Sequence, residues 1–358
     1  MHARDVVLCQ PVRTAIGAYN GSLKAVPAVD LGAAAIRATV ARAGIDPGEV
    51  GSVVFGNVIQ AGNRMNPARQ AAIGAGLPVS VPAMTVNRVC GSGAQAIATA
   101  ADEVRLGYVD IAIAGGMENM DRAPYLMPSG RWGQRMGDSV LYDSMLHDGL
   151  FDAFSGEHSG WHTEDLVARY ALTREAQDRW AERSQRNFAL AQANGRFTGQ
   201  IAGVATKGKG GTAMFEVDEA NRPDTSLDTL GRLKPAFRPD GTITAGNAPG
   251  LNSGAAAMII AERALAEARG CSRWDDWPLT VSGPWSPACS GWARSRRCGR
   301  RCNAPAGSWA TLNASRSMKH LPRCRWLSRW SSDCRTTSST STVAPLPTAI
   351  RSVRPARC

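Results

Sequence analysis

The feature that most restricts the fold is a cysteine set between a strand and a helix. Residues 81–89 read as an apolar strand, Cys90-Gly91-Ser92-Gly93 as a tight turn, and 94–106 as an Ala-rich helix. Residues 111–114 return as a buried-strand segment closed by Gly115-Gly116. The same alternation precedes this unit. Residues 6–8 and 53–55 are strand-like, and 31–43 carry apolar residues at helical spacing until Gly44 and Pro47 end them. Strands alternating with helices in this rhythm predict an α/β fold on a mixed or mostly parallel sheet. From 121 to about 242 the rhythm loosens into Gly-, Asp- and Arg-rich chain, which reads as an insertion or lid over the α/β core. One long helix is expected there, over 173–194, with Thr173 as its N-terminal cap. Strand character resumes at 255–260 and a helix at 261–268.

A cysteine at a strand–helix junction has two readings. The thiolate is the reactive form, and unpaired N–H groups and the dipole at a helix N-terminus favour it. Flanking glycines allow a sharp turn and close approach of a bulky substrate. The other reading is a buried structural cysteine, and spacing alone leaves the two open.

The residues around Cys90 carry more than spacing. Asn87-Arg88-Val89-Cys90-Gly91-Ser92-Gly93 resembles the nucleophile loop of the thiolase family. Arg13-Thr14-Ala15-Ile16-Gly17 is similar to that family's first strand and turn. Gly56-Asn57-Val58, Asn66-Pro67-Ala68-Arg69-Gln70 and Gly115-Gly116-Met117-Glu118-Asn119-Met120 follow in the family's order. Phe237-Arg238-Pro239-Asp240-Gly241-Thr242, Thr244-Ala245-Gly246-Asn247-Ala248 and Leu251-Asn252-Ser253-Gly254 complete the resemblance, which spans residues 4 to about 270.

The resemblance implies a layered αβα fold with a lid. In this chain it places the first core half at 1–121, the lid or loop domain at 122–242, and a return into the core at 243–270. It implies that Cys90 is acylated by an acyl-coenzyme A, dividing one hard transfer into two easier steps. Coenzyme A contacts would fall on Leu150, His158, Arg222, Thr229, Phe237, Ala245 and Leu251. Arg222 suits the adenine and phosphates, although by itself it reads as a solvated surface arginine. Two positions depart from the family: Ser159 stands where Met is usual, enlarging and polarising the acyl pocket, and Pro249 stands for Ser, removing an N–H and a hydroxyl. Substrates would be coenzyme A thioesters, with no permanently bound cofactor, and self-association as a dimer or tetramer is implied for the intact fold.

The family also needs a histidine in Gly-His-Pro, an asparagine in Asn-Glu-Ala-Phe and a second cysteine in Cys-x-Gly. Each acid–base or oxyanion group of this kind contributes orders of magnitude in rate. The first two motifs do not occur in this chain. A change of composition indicates why. The net charge is +11, but residues 271–358 hold 15 of 41 Lys and Arg, 3 of 30 Asp and Glu, 7 of 9 Cys and 7 of 10 Trp. The body is left near neutral, with 26 basic and 27 acidic residues.

Periodicity is lost over the same stretch. Codons that encode residues 314–322 can be read one base back as Arg-Phe-Glu-Ile-Asn-Glu-Ala-Phe-Ala, and 341–356 likewise as Val-Asn-Gly-Gly-Ala-Ile-Ala-His-Gly-His-Pro-Ile-Gly-Ala-Thr-Gly. Both missing motifs thus emerge in one frame and in order. The expectation is a one-base frame change near Gly270, a 271–358 tail replacing the second core half, and the second cysteine lying beyond Cys358.

The other function classes are weaker. A nucleic-acid binder would use the basic tail, which has neither motif nor periodicity. Cys298 and Cys302 lack a second pair at zinc spacing. A non-catalytic remnant that binds coenzyme A or a thiolase subunit is the alternative to an enzyme. No run of 18 apolar residues predicts a membrane span, and no signal-peptide core follows Met1, so a cytoplasmic location is expected.

Overall fold

A computed structural model describes residues 4–208, 211–270 and 273–276 of the chain. The tail expected to replace the second core half, with Cys298 and Cys302, lies outside the described residues apart from 273–276.

The first part of the chain builds β1 (Val6–Thr14), β2 (Gly17–Ala18), α1 (Ala28–Ala43), β3 (Ser52–Gly56), α2 (Pro67–Gly74), β4 (Ala83–Val86), α3 (Ser92–Arg105) and β5 (Ile111–Asn119). The next segment forms β6 (Tyr125–Leu126), β7 (Tyr142–Asp143), α4 (Ser144–His147), α5 (Ser159–Arg169) and α6 (Arg174–Ala193). It continues through β8 (Ile201–Ala202), β9 (Val204–Gly208), β10 (Gly211–Phe215) and α7 (Leu227–Gly231). The chain then re-enters the core as β11 (Asn252–Glu262), α8 (Arg263–Ala268) and β12 (Arg273–Asp276).

The main sheet runs β12-β1-β11-β5-β3-β4, with β2 joining β11 and β8 joining β1. β3 is parallel to β4 and β5, whereas β11 is antiparallel to both β5 and β1. The sheet is therefore mixed, one of the two arrangements the sequence allowed.

Alternation of side chains builds two cores on its two faces. Val7, Val53, Phe55, Ile111, Ile113 and Ile259 pack with α1 and α2 on one face. Val6, Leu8, Val54, Ala112, Ala114 and Ile260 pack with α3 on the other. A strand rich in apolar residues at every position needs cover on both sides, and the helices supply it. The result is the expected αβα layering.

Three differences from the sequence reading have physical causes. β5 does not stop at Gly115-Gly116 but runs through both. A Cβ on Gly115 would meet the Phe55 ring at 2.9 Å and the Ala256 carbonyl closer still, so glycine lets neighbouring strands approach rather than ending one. β1 runs past Pro11, where its register against β11 shifts between Cys9 and Val12. α1 begins at Ala28, three residues before the expected start, with Pro27 at its cap.

The segment between β5 and β11 holds more regular structure than its composition suggested, with four α-helices and two two-stranded sheets among the described residues. The one helix expected there is α6, and the Thr173 hydroxyl caps it by accepting from the Ala176 N–H at 3.2 Å. This segment is tied to the core by Asp218, which is buried. Both terminal nitrogens of the Arg13 guanidinium donate to its carboxylate, at 2.7 and 2.8 Å, and the Ile16 N–H donates to it at 2.7 Å.

Candidate active site

Strands β3, β4 and β5 all end at the same edge, and Cys90 lies just beyond it, in the turn between β4 and α3. In an open α/β sheet this C-terminal edge is where ligands bind. The turn is tight: Gly91 N–H donates to the Arg88 carbonyl at 3.0 Å, and Ser92 N–H to the Val89 carbonyl at 3.0 Å. The Ser92 hydroxyl closes it from inside, accepting from Arg88 N–H at 2.9 Å and donating to the Val89 carbonyl at 2.6 Å. Val89 is held at φ +48°, a left-handed conformation that a β-branched residue adopts only under constraint. Gly91 caps α3, so Cys90 sits one residue before the helix N-terminus, and it is exposed. The close fit of α3 on the sheet depends on Gly56, where a Cβ would meet Ser92 Cβ at 2.7 Å.

A cleft of about 450 Å³ opens over this turn, lined by Cys90, Val89, Asn57, Glu118, Leu150 and Asn252 among others. Its floor carries one carboxyl. Glu118 Oε1 accepts from Asn57 Nδ2 at 2.9 Å, and Oε2 accepts from the backbone N–H of Val58 at 2.8 Å and of Ile59 at 3.4 Å. Burial is the strongest influence on this carboxyl and raises its pKa, against those three donors, which lower it. Among the described residues no histidine lines the cleft.

Above it, the inserted segment gathers a second group of side chains. The His158 ring stacks on Phe237 with centroids 4.7 Å apart, and Phe151 meets it edge-on at 5.9 Å. Burial lowers the His158 pKa, and its Nδ1 accepts from Gly160 N–H at 2.9 Å, capping α5. Ser159 N–H donates to the Leu150 carbonyl at 2.8 Å, fixing Leu150 beside this stack.

Phe237 is carried by a short hairpin in which Ala236 N–H donates to the Ile243 carbonyl at 2.8 Å. Buried Glu164 of α5 holds the far arm of that hairpin, accepting from the N–H groups of Thr242 at 2.9 Å and Ile243 at 2.8 Å. Ala245 follows in a turn whose Gly246 lies so close to α7 that a Cβ would meet Leu230 at 2.5 Å. Thr229 belongs to that helix and forms a capping box with Ser226.

Residues 6–264 match the family described as Thiolase, N-terminal domain. An acetyl-CoA acetyltransferase of Pseudomonas aeruginosa is 48% identical over 268 residues, which are 75% of this chain and 68% of that protein. The chain belongs to the thiolase family. A beta-ketothiolase of Cupriavidus necator is also 48% identical, over 75% of this chain and 68% of that protein. A solved acetyl-CoA acetyltransferase of Bacillus anthracis superposes with a TM-score of 0.73 at 38% identity, covering 76% of this chain and 68% of that one. The fold is accordingly that of a thiolase.

Of the thiolase positions marked from sequence, Cys90 and Leu150 share the cleft. His158 and Phe237 are in direct contact, and Leu150 joins them through Ser159. Thr229 and Ala245 lie on adjoining elements, and Leu251 immediately precedes β11. Arg222 stands apart, exposed, with its backbone N–H donating to Gln185 of α6 at 2.9 Å. Asn57, Asn87 and Glu118 stand within the family-like motifs but not among the contacts that the resemblance implies. A charged residue ending the apolar run 111–117 was the available signal, since an acidic side chain in a buried strand needs partners.

Proposed function

We propose that the chain carries the acyl-accepting part of a thiolase active site, with Cys90 as the nucleophile. Cys90 Sγ attacks the thioester carbonyl, a new C–S bond forms as the old one breaks, and the coenzyme A sulfur leaves with a proton. The observation that carries this reading is an exposed cysteine on a strained turn at the N-terminus of α3, opening into a cleft at the C-terminal sheet edge. Leu150, His158, Phe237, Ala245 and Leu251 would guide the pantetheine arm, with Arg222 and Thr229 toward the nucleotide end. Coenzyme A thioesters are substrates here, with no resident cofactor.

The full family reaction, acetyl-coenzyme A condensation or 3-ketoacyl-coenzyme A cleavage, needs the histidine, asparagine and second cysteine that the resemblance implies. The sequence lacks Gly-His-Pro and Asn-Glu-Ala-Phe, and codons can be chosen for 314–322 and 341–356 that spell both motifs one base back. We therefore assign this chain slow acylation at most and no carbon–carbon turnover, and we place the frame change near Gly270. The domain limits at 121, 242 and 270, a cytoplasmic location and a homo-oligomer of the intact fold belong to the same proposal. Among the described residues no helix is long and apolar enough to cross a membrane.

The test is incubation of the full chain with acetyl-coenzyme A, followed by mass analysis of the Cys90 peptide. Acetylation there, lost in Cys90→Ser, supports the reading. Saturable coenzyme A binding with no acetyl transfer favours the non-catalytic remnant, which the missing histidine motif makes the second reading.

A further inference from the structure

The family resemblance accounts for Cys90 but not for why the cleft floor keeps a carboxyl. We propose that Glu118 is a positioning residue, holding the Cys90 turn in its left-handed form through Val58 and Asn87. The proposal rests on the reading of Cys90 as nucleophile.

The connection is a continuous set of hydrogen bonds. Glu118 Oε2 accepts from the Val58 N–H at 2.8 Å, and the Val58 carbonyl accepts from Asn87 Nδ2 at 3.2 Å. Asn87 Oδ1 then accepts from the Val89 N–H at 3.0 Å, and Val89 is the residue at φ +48°. One amide side chain thus spans from the 57–59 loop to the strained residue, and one residue of that loop, Val58, is held through both its N–H and its carbonyl. The loop is further fixed by Asn57, whose side chain reaches Glu118 Oε1 at 2.9 Å and the Met117 carbonyl at 3.1 Å. Asn57 is 1% exposed, so these bonds are shielded from water.

The chemistry requires Glu at this position. Every polar group facing the carboxyl in these contacts is an N–H donor, and a carboxylate accepts on both oxygens. A glutamine of the same shape would turn its own N–H groups toward at least one of those donors. The 57–59 loop would then lose a bond, and with it the support under Asn87. A left-handed valine persists only where its surroundings enforce it, so the turn would relax and move the thiol away from the cleft. Small misplacements of a reacting atom are costly in rate.

The experiment is residue-resolved hydrogen exchange on the full chain and its Glu118→Gln and Asn87→Ala variants. In Glu118→Gln the Val58, Ile59 and Val89 amides should exchange at least about tenfold faster, as for loss of one hydrogen bond, with residues 96–104 of α3 unchanged. In Asn87→Ala only Val89 should lose protection, and the double variant should add nothing further at Val89. Acetylation of Cys90 by acetyl-coenzyme A should slow by about 100-fold in Glu118→Gln, well beyond any loss of reactivity toward iodoacetamide.

Unchanged Val89 protection in Glu118→Gln, or a loss spread evenly over α3, overturns the proposal. If Glu118→Gln does not fold, Asn87→Ala decides, because Asn87 is exposed and unchanged Val89 protection there breaks the chain of bonds. A parent chain that never acetylates defeats the functional reading instead, while Val89 exchange still decides this one.

Discussion

At the scale of single residues, the site is a small set of close approaches. Gly56 is the one beneath the Cys90 turn: a methyl there would meet Ser92 Cβ at 2.7 Å, its carbonyl carbon at 2.8 Å and the Gly93 nitrogen at 3.0 Å, mostly unyielding atoms. Gly56→Ala should therefore destabilise the fold by about 1–3 kcal/mol in chemical denaturation, the range for overpacking a core; a neutral result would mean that α3 can shift freely.

Glu118 gives a pH signature. Because burial raises its carboxyl above the ordinary 4.5, the folded chain keeps a proton that the unfolded chain has released. Its contribution is present below pH 4.5 and lost as pH rises through the folded-state value. Denaturation midpoints followed upward from pH 4.5 should fall less steeply in Glu118→Gln than in the parent; equal slopes would contradict this. The candidate nucleophile was legible at this scale because Cys90 stands in a family motif, just ahead of Gly91 and Gly93. The left-handed Val89 was not, since nothing local in Arg88-Val89-Cys90 favours it and the constraint comes from Asn87 and Ser92.

At the scale of elements, α5 is what aligns the Phe237 hairpin with the His158 stack. Glu164, 5% exposed, accepts from two backbone N–H groups of the hairpin. Glu164→Ala would leave both donors without that partner and should cost roughly 1–3 kcal/mol, read from thermal or denaturant melts; a change confined to a few tenths would argue against the anchor.

His158 titrates in the opposite sense from Glu118. Burial lowers its pKa below the ordinary 6.5, so its contribution is present above pH 6.5 and lost as pH falls through the folded-state value. Stability should drop on acidification below 6.5 in the parent and less in His158→Gln; the same drop in both would place the titration elsewhere.

Sequence pattern read the core elements well where burial alternates, as in β5 with Ile111 and Ile113 on one face and Ala112 and Ala114 on the other. It failed at Gly115-Gly116, where glycine serves inter-strand contact rather than termination. It also failed through the insertion, whose segments are fixed by long-range anchors such as Asp218 and Glu164 rather than by a local apolar stripe.

At the scale of the whole molecule, family membership and the composition change point the same way. The family match ends at residue 264, and the aligned relatives extend beyond what this chain matches, which is 68% of their length. The body before 270 folds into the thiolase layers with Cys90 at the sheet edge, and the sequence after it is poor in acidic residues and lacks the Gly-His-Pro and Asn-Glu-Ala-Phe motifs. Under the proposed function the family reaction divides: acyl acceptance would belong to the described part, and carbon–carbon chemistry to residues that a restored frame would supply. A gene with one base restored near the Gly270 codon should express a longer protein with thiolase turnover; an inactive restored protein would count against the frame change.

Whether Cys90 accepts an acyl group is decided by the mass of the Cys90 peptide after the full 358-residue chain meets acetyl-coenzyme A. The account predicts a gain of one acetyl group on Cys90, formed slowly, removed by added coenzyme A and absent from Cys90→Ser. An unmodified Cys90 in a folded chain that binds coenzyme A, or acetylation persisting elsewhere in Cys90→Ser, would contradict it.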